Sequence, residues 1–398
     1  MHHIEVTDSL ITELVELIKT IAAIPAPSGQ EDARAAFVKE YLEKAGYDPV
    51  IIDEAKNVIV EVALNGAAQT SNEKSLHLYT AHTDVVFPDT TTLPVREERG
   101  LLLAPGVGDD TANLAGMLLS MKYLKNYSKE HQLIPRYPIA YVADSGEEGL
   151  GNLKGMWSAY HRYEKRLARH IAFDGCTAVI VNRAVGSDRY EITVRTEGGH
   201  SYNNFGNRNA IAVAADMIAA LYQTDTNDLP GKTTYNVGTI QGGTSVNTIA
   251  QQVSFCYEYR SDEQEGLDRM KMIAEQTLAK ALDAENFTLE DGFVIETKDA
   301  QVSVRVIGRR PGMGPVEEKA QTELSDHVAD LLEKYTGKRP GFTSGSTDCN
   351  IPLSKGIPAA CFGIYLGQGA HTREEYIEIA SLKAGMQTML ELLLEDYE

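Results

Sequence analysis

Hydrophobic positions in the first part of the chain follow two different periods, which predict helices and strands in turn. Residues 7–21 place Leu10, Leu14 and Leu17 on one face of an amphipathic helix. Short apolar runs predict strands at residues 58–62, 76–81, 139–143 and 171–173, and helical segments are predicted near residues 31–45, 111–127 and 157–169. Strands that alternate with helices in this way indicate an α/β fold, with a mostly parallel sheet and helices on both of its faces.

The pattern changes near Gly186. Residues 190–196 alternate with period two, as in a sheet that has one face exposed to water. The predicted order strand, helix, strand, strand, helix, strand up to about residue 307 indicates a ferredoxin-like α+β unit. The first pattern then returns, with helices predicted at 318–334 and 381–394. The sequence therefore predicts a larger domain at 1–186 and 307–398, and an inserted domain at 187–306.

Composition and charge narrow the possible partners and location. The 398 residues include 37 Lys and Arg against 57 Asp and Glu, a net charge of −20 that argues against binding to nucleic acid or an anionic membrane. No apolar run reaches the roughly 18 residues of a membrane span, and the first residues lack the features of a signal peptide. The four cysteines are dispersed and form no C-x-x-C pair, so we expect a reduced, cytoplasmic protein.

Histidines and acidic residues follow apolar runs at intervals along the chain. His82 ends the run at residues 76–81, and the carboxyl end of a strand is where open α/β sheets present groups to a ligand. Asp84, two positions later, is close enough to accept a hydrogen bond from the ring nitrogen of His82 that does not face a metal. Further candidates follow along the chain: Asp109-Asp110, Glu147-Glu148, Asp174 and His371.

Imidazoles and carboxylates in this mixture are typical of a zinc site, with cobalt or manganese as possible substitutes. Five candidate ligands exceed the needs of one catalytic zinc and predict two metal ions about 3.5–4 Å apart that share a carboxylate. Acids that only cap helices or face solvent are the alternative. Gly106-Val107-Gly108 could indicate a phosphate loop, but it leads into two carboxylates that would repel phosphate. The five candidates are His82, Asp109, Glu148, Asp174 and His371.

These motifs in this order resemble the di-zinc exopeptidases and amidohydrolases that include peptidase T, carboxypeptidase G, aminoacylase and acetylornithine deacetylase. The resemblance covers nearly all of the chain and implies that the larger domain is catalytic and that the insert is a lid or dimerisation domain. It also implies a cis peptide bond after the bridging aspartate. The implied roles are as follows: His82 and Asp174 bind one zinc, Glu148 and His371 bind the other, Asp109 bridges them, Asp84 orients His82, and Glu147 is the general base.

Three residues of the predicted insert also match segments of that family. His200 matches a histidine that stabilises the developing oxyanion and that reaches the partner's active site in dimeric members. Asn247 matches an asparagine that binds substrate, and Arg260 matches an arginine that binds a substrate carboxylate. A loop histidine and a structural salt bridge are the alternative accounts of His200 and Arg260. The remaining histidines, His77 and His170 among them, are predicted to be ordinary core or surface residues, and His77 is expected to have no acidic neighbour.

The resemblance implies hydrolysis of a peptide bond in short peptides by a zinc-bridged hydroxide, with Glu147 as the base. Asp174 stands where deacylases and carboxypeptidases more often have Glu, and so favours release of the N-terminal residue, as by peptidase T. Thr111 stands where many members have Lys, which predicts the loss of one positive charge. An N-acyl-amino-acid deacylase or a carboxypeptidase is the alternative, as is a non-catalytic binding protein on this scaffold. A short peptide or an N-acyl amino acid is the expected partner, and a homodimer could form through the insert.

Overall fold

A computed structural model describes residues 2–63 and 74–398 of the chain. The helices are α1 Asp8–Ala22, α2 Asp32–Lys44, α3 Asn113–His131, α4 Lys154–Tyr163, α5 Ala210–Leu221, α6 Gln264–Ala281, α7 Glu318–Thr336, α8 Asn350–Ser354 and α9 Leu382–Leu394. The strands are β1 Ile51–Ile52, β2 Val58–Val62, β3 Leu76–His82, β4 Arg96–Glu98, β5 Leu101–Leu103, β6 Ile139–Asp144, β7 Leu167–Phe173, β8 Val179–Ala184, β9 Gly186–Arg195, β10 Gly199–His200, β11 Thr233–Gly242, β12 Thr248–Ile249, β13 Gln252–Ser261, β14 Val294–Glu296, β15 Gln301–Arg310, β16 Gly341–Gly345, β17 Ala359–Phe362, β18 Gly367–Gln368 and β19 Tyr376–Glu378.

The chain forms two compact units. The first unit ends at Ala184 and resumes at Gly314, and the second runs from Val185 to Met313. The predicted insert at 187–306 lies within the second unit, whose strand β15 continues to Arg310.

An eight-stranded sheet organises the first unit, in the order β1-β2-β6-β3-β7-β17-β8-β16. Its centre is parallel, because β3 pairs in parallel with both β6 and β7, and β17 pairs in parallel with β7. Strand β3 is buried along its whole length, as expected for a parallel strand covered on both faces. The predicted α/β fold with a mostly parallel sheet is confirmed.

Side chains of the central strands alternate between two separate hydrophobic cores. Leu76 and Leu78 of β3 pack into one core with residues of α4, whereas Tyr79 and Ala81 pack into the other with residues of α1, α3 and α9. Because successive side chains of a strand point to opposite faces, this division requires helices on both sides of the sheet. The central strands are therefore held rigidly between two packed layers.

A second, smaller sheet of the first unit has the order β18-β19-β5-β4. Strand β5 pairs antiparallel with β19, so that Leu101 lies opposite Glu378 and Leu103 lies opposite Tyr376. The segment after Leu103 and the segment before Tyr376 therefore lie at the same end of this sheet. These two loops carry Asp109 and His371.

The second unit is an antiparallel sheet in the order β11-β13-β9-β15-β14. Its four long strands and the helices α5 and α6 follow the chain order β9-α5-β11-β13-α6-β15, which is the predicted ferredoxin-like arrangement with β14 added at one edge. Alternate residues of β13, Phe255 and Tyr257 among them, pack with Met217 of α5 and Met270 of α6. The period-two pattern of this region therefore reflects two helices on one face of the sheet.

One predicted helix was wrong in its second half. The sequence pattern placed a helix at residues 157–169, but α4 ends at Tyr163 and strand β7 begins at Leu167. Leu167 pairs with Leu76 of β3, and both residues are buried. Strand β7 must start here to cross the sheet beside the seven residues of β3, and this pairing outweighs the local helical pattern. No helix among the described residues has the length and apolar composition needed to cross a membrane.

Two histidines prove to be parts of the core. His77 was expected to have no acidic neighbour, but its Nδ1 lies 2.8 Å from Oδ1 of Asp396 near the end of the chain. His170 of β7 is fully buried, and its Nε2 lies 2.9 Å from Oγ1 of Thr80. Burial lowers the pKa of His170 to about 3.

The buried imidazole of His170 should make the protein less stable in mild acid. The folded state keeps it neutral, whereas the unfolded chain gains a proton below its pKa of about 6.5. Stability is therefore lost as the pH falls below about 6.5, and one unit lower the loss is about 1.4 kcal/mol. We expect the free energy of urea unfolding of the metal-free protein to fall between pH 7.5 and 5.5 by about this much more than in His170→Gln.

The substitution His131→Gln, at an exposed histidine of α3, is the matched control and should leave the pH dependence of the wild type unchanged. Equal losses of stability in the wild type and in His170→Gln over the same pH range would contradict the assignment.

Candidate metal centre

His82 ends strand β3 and is 1% exposed. Its Nε2 faces Oδ1 of Asp109 at 3.1 Å, and its Nδ1 lies 3.0 Å from the main-chain oxygen of Asp84. The carboxylate of Asp84 is further away, with Oδ1 at 3.5 Å from Nδ1. Asp84 therefore does contact the ring nitrogen that faces away from Asp109, but the shorter contact comes from its main chain.

The carboxylate of Asp84 holds the loop that contains both candidate glutamates. It accepts hydrogen bonds from the main-chain nitrogens of Glu147 and Glu148, each at 3.0 Å, and from Oγ of Ser28 at 2.6 Å. Burial raises the pKa of Asp84, but its contacts with His82, Ser28 and Glu148 outweigh this and keep the pKa below its usual value. Asp84 is thus an ionised residue that fixes two neighbouring segments at once.

Asp109 is placed between two histidines. One oxygen, Oδ1, faces His82, and the other, Oδ2, lies 3.0 Å from Nε2 of His371. The peptide bond between Asp109 and Asp110 is cis, as the family resemblance implied. Burial raises the pKa of Asp109, but hydrogen bonds from His371 and His82 hold it below its usual value. A carboxylate whose two oxygens face different imidazoles has the arrangement required of a bridging ligand.

His371 completes this arrangement from the loop before β19. Its Nε2 is also 3.1 Å from Oε1 of Glu148, and its main chain has the left-handed φ of 65°. Residues other than glycine adopt such an angle rarely, and mostly where the surrounding structure requires it. Hydrogen bonds to Asp109 and Glu148 raise the pKa of His371 to about 10. The carboxylates that favour a cationic imidazole here would equally attract a metal ion.

Asp174 follows β7, and its carboxylate lies near His82 and Asp110. One ligand-type atom from each of these three residues lies within 4.8 Å of the others, and the same holds for His82, Asp109 and Glu148. Burial and the neighbouring Asp109 raise the pKa of Asp174 to about 6. These imidazole nitrogens and carboxylate oxygens fit divalent metal ions such as zinc, cobalt and manganese.

Asp110 was not among the predicted ligands, and its hydrogen bonds indicate a supporting role. Its Oδ2 accepts a hydrogen bond from the main-chain nitrogen of His82 at 3.0 Å, and its Oδ1 accepts one from Nδ2 of Asn113 at 2.7 Å. The amide oxygen of Asn113 accepts a hydrogen bond from the main-chain nitrogen of Ile364 at 2.8 Å. Asp110 therefore connects the end of β3 to the start of α3.

Arg34 of α2 is a charged residue of this region that the sequence patterns did not indicate. It is 1% exposed, and its guanidinium donates to the main-chain oxygen of Thr83 at 2.9 Å and lies 3.5 Å from Oγ1 of Thr111. Burial lowers the pKa of Arg34 to about 10, while the nearby Asp84 and Asp110 favour its charged form. A buried positive charge of α2 thus lies beside Thr111, where the family resemblance predicted the loss of one.

The three candidate site residues of the second unit lie at two different places. His200 of β10 pairs with Thr248 of β12, and the main-chain nitrogen of Ser201 donates to the main-chain oxygen of Asn247 at 3.0 Å, which brings His200 and Asn247 together. Arg260 lies on β13 with its side chain 40% exposed, and its Nε donates to Oε1 of Glu258 at 3.2 Å.

Comparisons with known proteins agree with this architecture. Acetylornithine deacetylase from Myxococcus xanthus is 26% identical over 367 residues, which span 87% of each chain. The crystal structure of aminopeptidase PepT from Bacillus cereus is similar with a TM-score of 0.67 and 21% identity, over 97% of this chain and 98% of that one. A tripeptidase from Staphylococcus aureus has a TM-score of 0.69 and 21% identity over the same shares of the two chains.

Residues 78–395 match the model of peptidase family M20/M25/M40. The expected resemblance is confirmed, and the site lies in the unit with the large parallel sheet. Since the match covers most of the chain, this protein belongs to peptidase family M20/M25/M40, a family of metal-dependent hydrolases.

Proposed function

We propose that this protein is a di-zinc exopeptidase that releases the N-terminal residue of short peptides. The observation that carries the proposal is the position of Asp109, whose two oxygens face His82 and His371 at 3.1 and 3.0 Å. In this assignment His82 and Asp174 hold one ion, and Glu148 and His371 hold the other. Two divalent cations shared in this way would lower the pKa of an attacking water and polarise the scissile carbonyl.

Glu147 is the proposed general base. This residue is 5% exposed, and Asp84 accepts hydrogen bonds from its main-chain nitrogen and from that of Glu148. Adjacent residues of a loop direct their side chains differently, so one carboxylate can bind a metal while its neighbour accepts a proton. Glu147 would take a proton from the attacking water and then transfer it to the nitrogen of the leaving amine.

Two further buried acids, Asp144 and Asp348, lie near Glu147. Burial raises the pKa of Asp144, at the end of β6, to about 7. Burial, Asp144 and Glu147 raise the pKa of Asp348 well above its usual value. Carboxyl groups whose pKa values are raised by burial and by neighbouring acids are common in catalytic sites.

The choice of an aminopeptidase depends on Asp174 and on the structural similarity to PepT and to the tripeptidase. Removal of an acyl group or of a C-terminal residue is the second candidate, and the similarity to acetylornithine deacetylase supports it. Arg260 is the proposed contact for a carboxylate of the substrate. It would serve either reaction and therefore does not distinguish between them. Glu258, which accepts hydrogen bonds from Arg260, also accepts one from Arg189 at 3.3 Å, and so is shared between two guanidinium groups.

The finer assignments stay predictions. His200 is proposed to stabilise the oxyanion and Asn247 to bind the substrate, which fits their position beside each other in the second unit. Zinc is the proposed metal, with cobalt and manganese as substitutes. The roles of the second unit as a lid and in a homodimer are predicted from the family resemblance, and so is the cytoplasmic location from the sequence.

A matched substrate panel tests the proposed reaction. We expect the zinc- or cobalt-loaded protein to hydrolyse Ala-Ala-Ala and to leave N-acetyl-Ala-Ala-Ala and N-acetyl amino acids intact, because an aminopeptidase requires the free amine. Chromatography of the products would show which bond is cleaved. Cleavage of only the blocked substrates would instead favour the deacylase or carboxypeptidase, and two bound metals without turnover would favour a binding protein.

The substitution Glu147→Gln tests the general base. It should lower kcat by about 10²–10⁴-fold, because the amide cannot accept the proton from water. Its metal content, measured by mass spectrometry, should equal that of the wild type. The matched control is Glu164→Gln, at an exposed glutamate after α4. An unchanged kcat in Glu147→Gln would remove Glu147 from this role.

A further inference from the structure

Glu375 lies four residues after His371 and is 2% exposed, although it has no place in the chemistry above. Its carboxylate accepts three hydrogen bonds from main-chain nitrogens of the loop that leads to Asp109. Oε2 accepts from Gly106 at 2.7 Å, and Oε1 accepts from Gly108 at 2.8 Å and from Asp109 itself at 2.9 Å. A buried carboxylate with three such donors is firmly held and in turn fixes the main chain that it contacts.

The main chain of Glu375 is attached to the same loop. The nitrogen of Ala104 donates to the main-chain oxygen of Glu375 at 3.2 Å, where the small sheet between β5 and β19 ends. On its other side, the nitrogen of Glu375 donates to the main-chain oxygen of Thr372 at 3.4 Å, next to His371. Glu375 therefore connects the segment that carries His371 to the segment that carries Asp109.

The glycines of the loop allow this close contact. Gly106 has a left-handed φ of 70°. A Cβ at Gly108 would lie 2.9 Å from Oε1 of Glu375 and 2.5 Å from the hydroxyl of Tyr365, which leaves no room for a side chain. The Gly-x-Gly pattern that could have indicated a phosphate loop thus presents its main-chain nitrogens to a carboxylate of the chain itself.

We infer that Glu375 is a positioning residue that sets the place of the Asp109 carboxylate relative to His371, and through it the affinity of the site for its metal pair. The inference depends on the metal centre of the proposed function but not on the identity of the substrate. Without the carboxylate, the buried main-chain nitrogens of Gly106 and Gly108 and the partly buried one of Asp109 would lose their acceptor, and the loop would have to move to find others. A shift of Asp109 would disturb both metal positions, because its two oxygens face different histidines.

Titration of the metal-free full-length protein with Zn²⁺ in a calorimeter tests the inference. Loss of a residue that orients a metal ligand typically lowers metal affinity about 10–100-fold, and we expect a rise of this size in the Kd of at least one zinc ion in Glu375→Ala. Glu375→Gln should have a smaller effect, since its amide oxygen can still accept from Gly108 and Asp109 while its NH₂ opposes Gly106. The matched control, Glu374→Gln, changes an exposed neighbour and should bind zinc as the wild type does.

Two further measurements distinguish a positioning role at the metal centre from a purely structural role of Glu375. The visible spectrum of the Co²⁺-loaded protein should change in Glu375→Ala, and kcat should fall more than KM rises, because the coordination of the metals is altered.

Wild-type affinity for two zinc ions in folded Glu375→Ala would overturn the inference. If that variant fails to fold, as judged by circular dichroism, wild-type affinity and an unchanged cobalt spectrum in Glu375→Gln would overturn it. A wild-type protein that binds no zinc would overturn the proposed metal centre itself, whereas one that binds zinc without hydrolysing peptides would contradict only the proposed reaction.

Discussion

Several carboxylates are buried together at one end of the large sheet, and this constraint shapes the rest of the first unit. An ionised acid that is removed from water needs hydrogen-bond donors or a positive charge close to it. Asp84 has three donors, Asn113 donates to Asp110, and Arg34 places a buried positive charge near both acids. Asp109 has histidines as its side-chain neighbours. The proposed pair of cations would supply further positive charge to Asp109 at this place.

The candidate ligands come from two sheets that hold them in different ways. His82 and Asp174 follow parallel strands that are packed between two hydrophobic cores, so the main chain at both residues has little freedom. Asp109 and His371 come from loops next to the small sheet. Glu375 connects these two loops by hydrogen bonds. In the proposed metal centre, the bridging carboxylate of Asp109 would thus be held on its loop by the hydrogen bonds of Glu375.

Local patterns predicted the elements well where packing and periodicity agree. Strand β2 has the bounds that the apolar run suggests, and α1 and α2 differ from their predicted bounds by one residue at each end. Prediction failed where pairing with a distant strand decides the structure, as at β7. It also placed Asp109 after a strand without showing that β5 belongs to a separate sheet. The order of the motifs identified the family in spite of these errors, because it depends on residue types at strand ends and not on the bounds of elements.

The sequence by itself determined the α/β pattern, the change to an antiparallel unit, and the histidines and acids that converge at the candidate site. Only the tertiary structure decided how those side chains are held. Arg34 reaches Thr83 and Thr111 across 49 and 77 residues, Ser28 reaches Asp84 across 56, and Glu375 reaches Asp109 across 266. Hydrogen bonds between residues so far apart in the chain produce neither a hydrophobic periodicity nor a local motif in a single sequence. They arise from the folding of the chain, which brings distant donors to carboxylates that could not otherwise be buried.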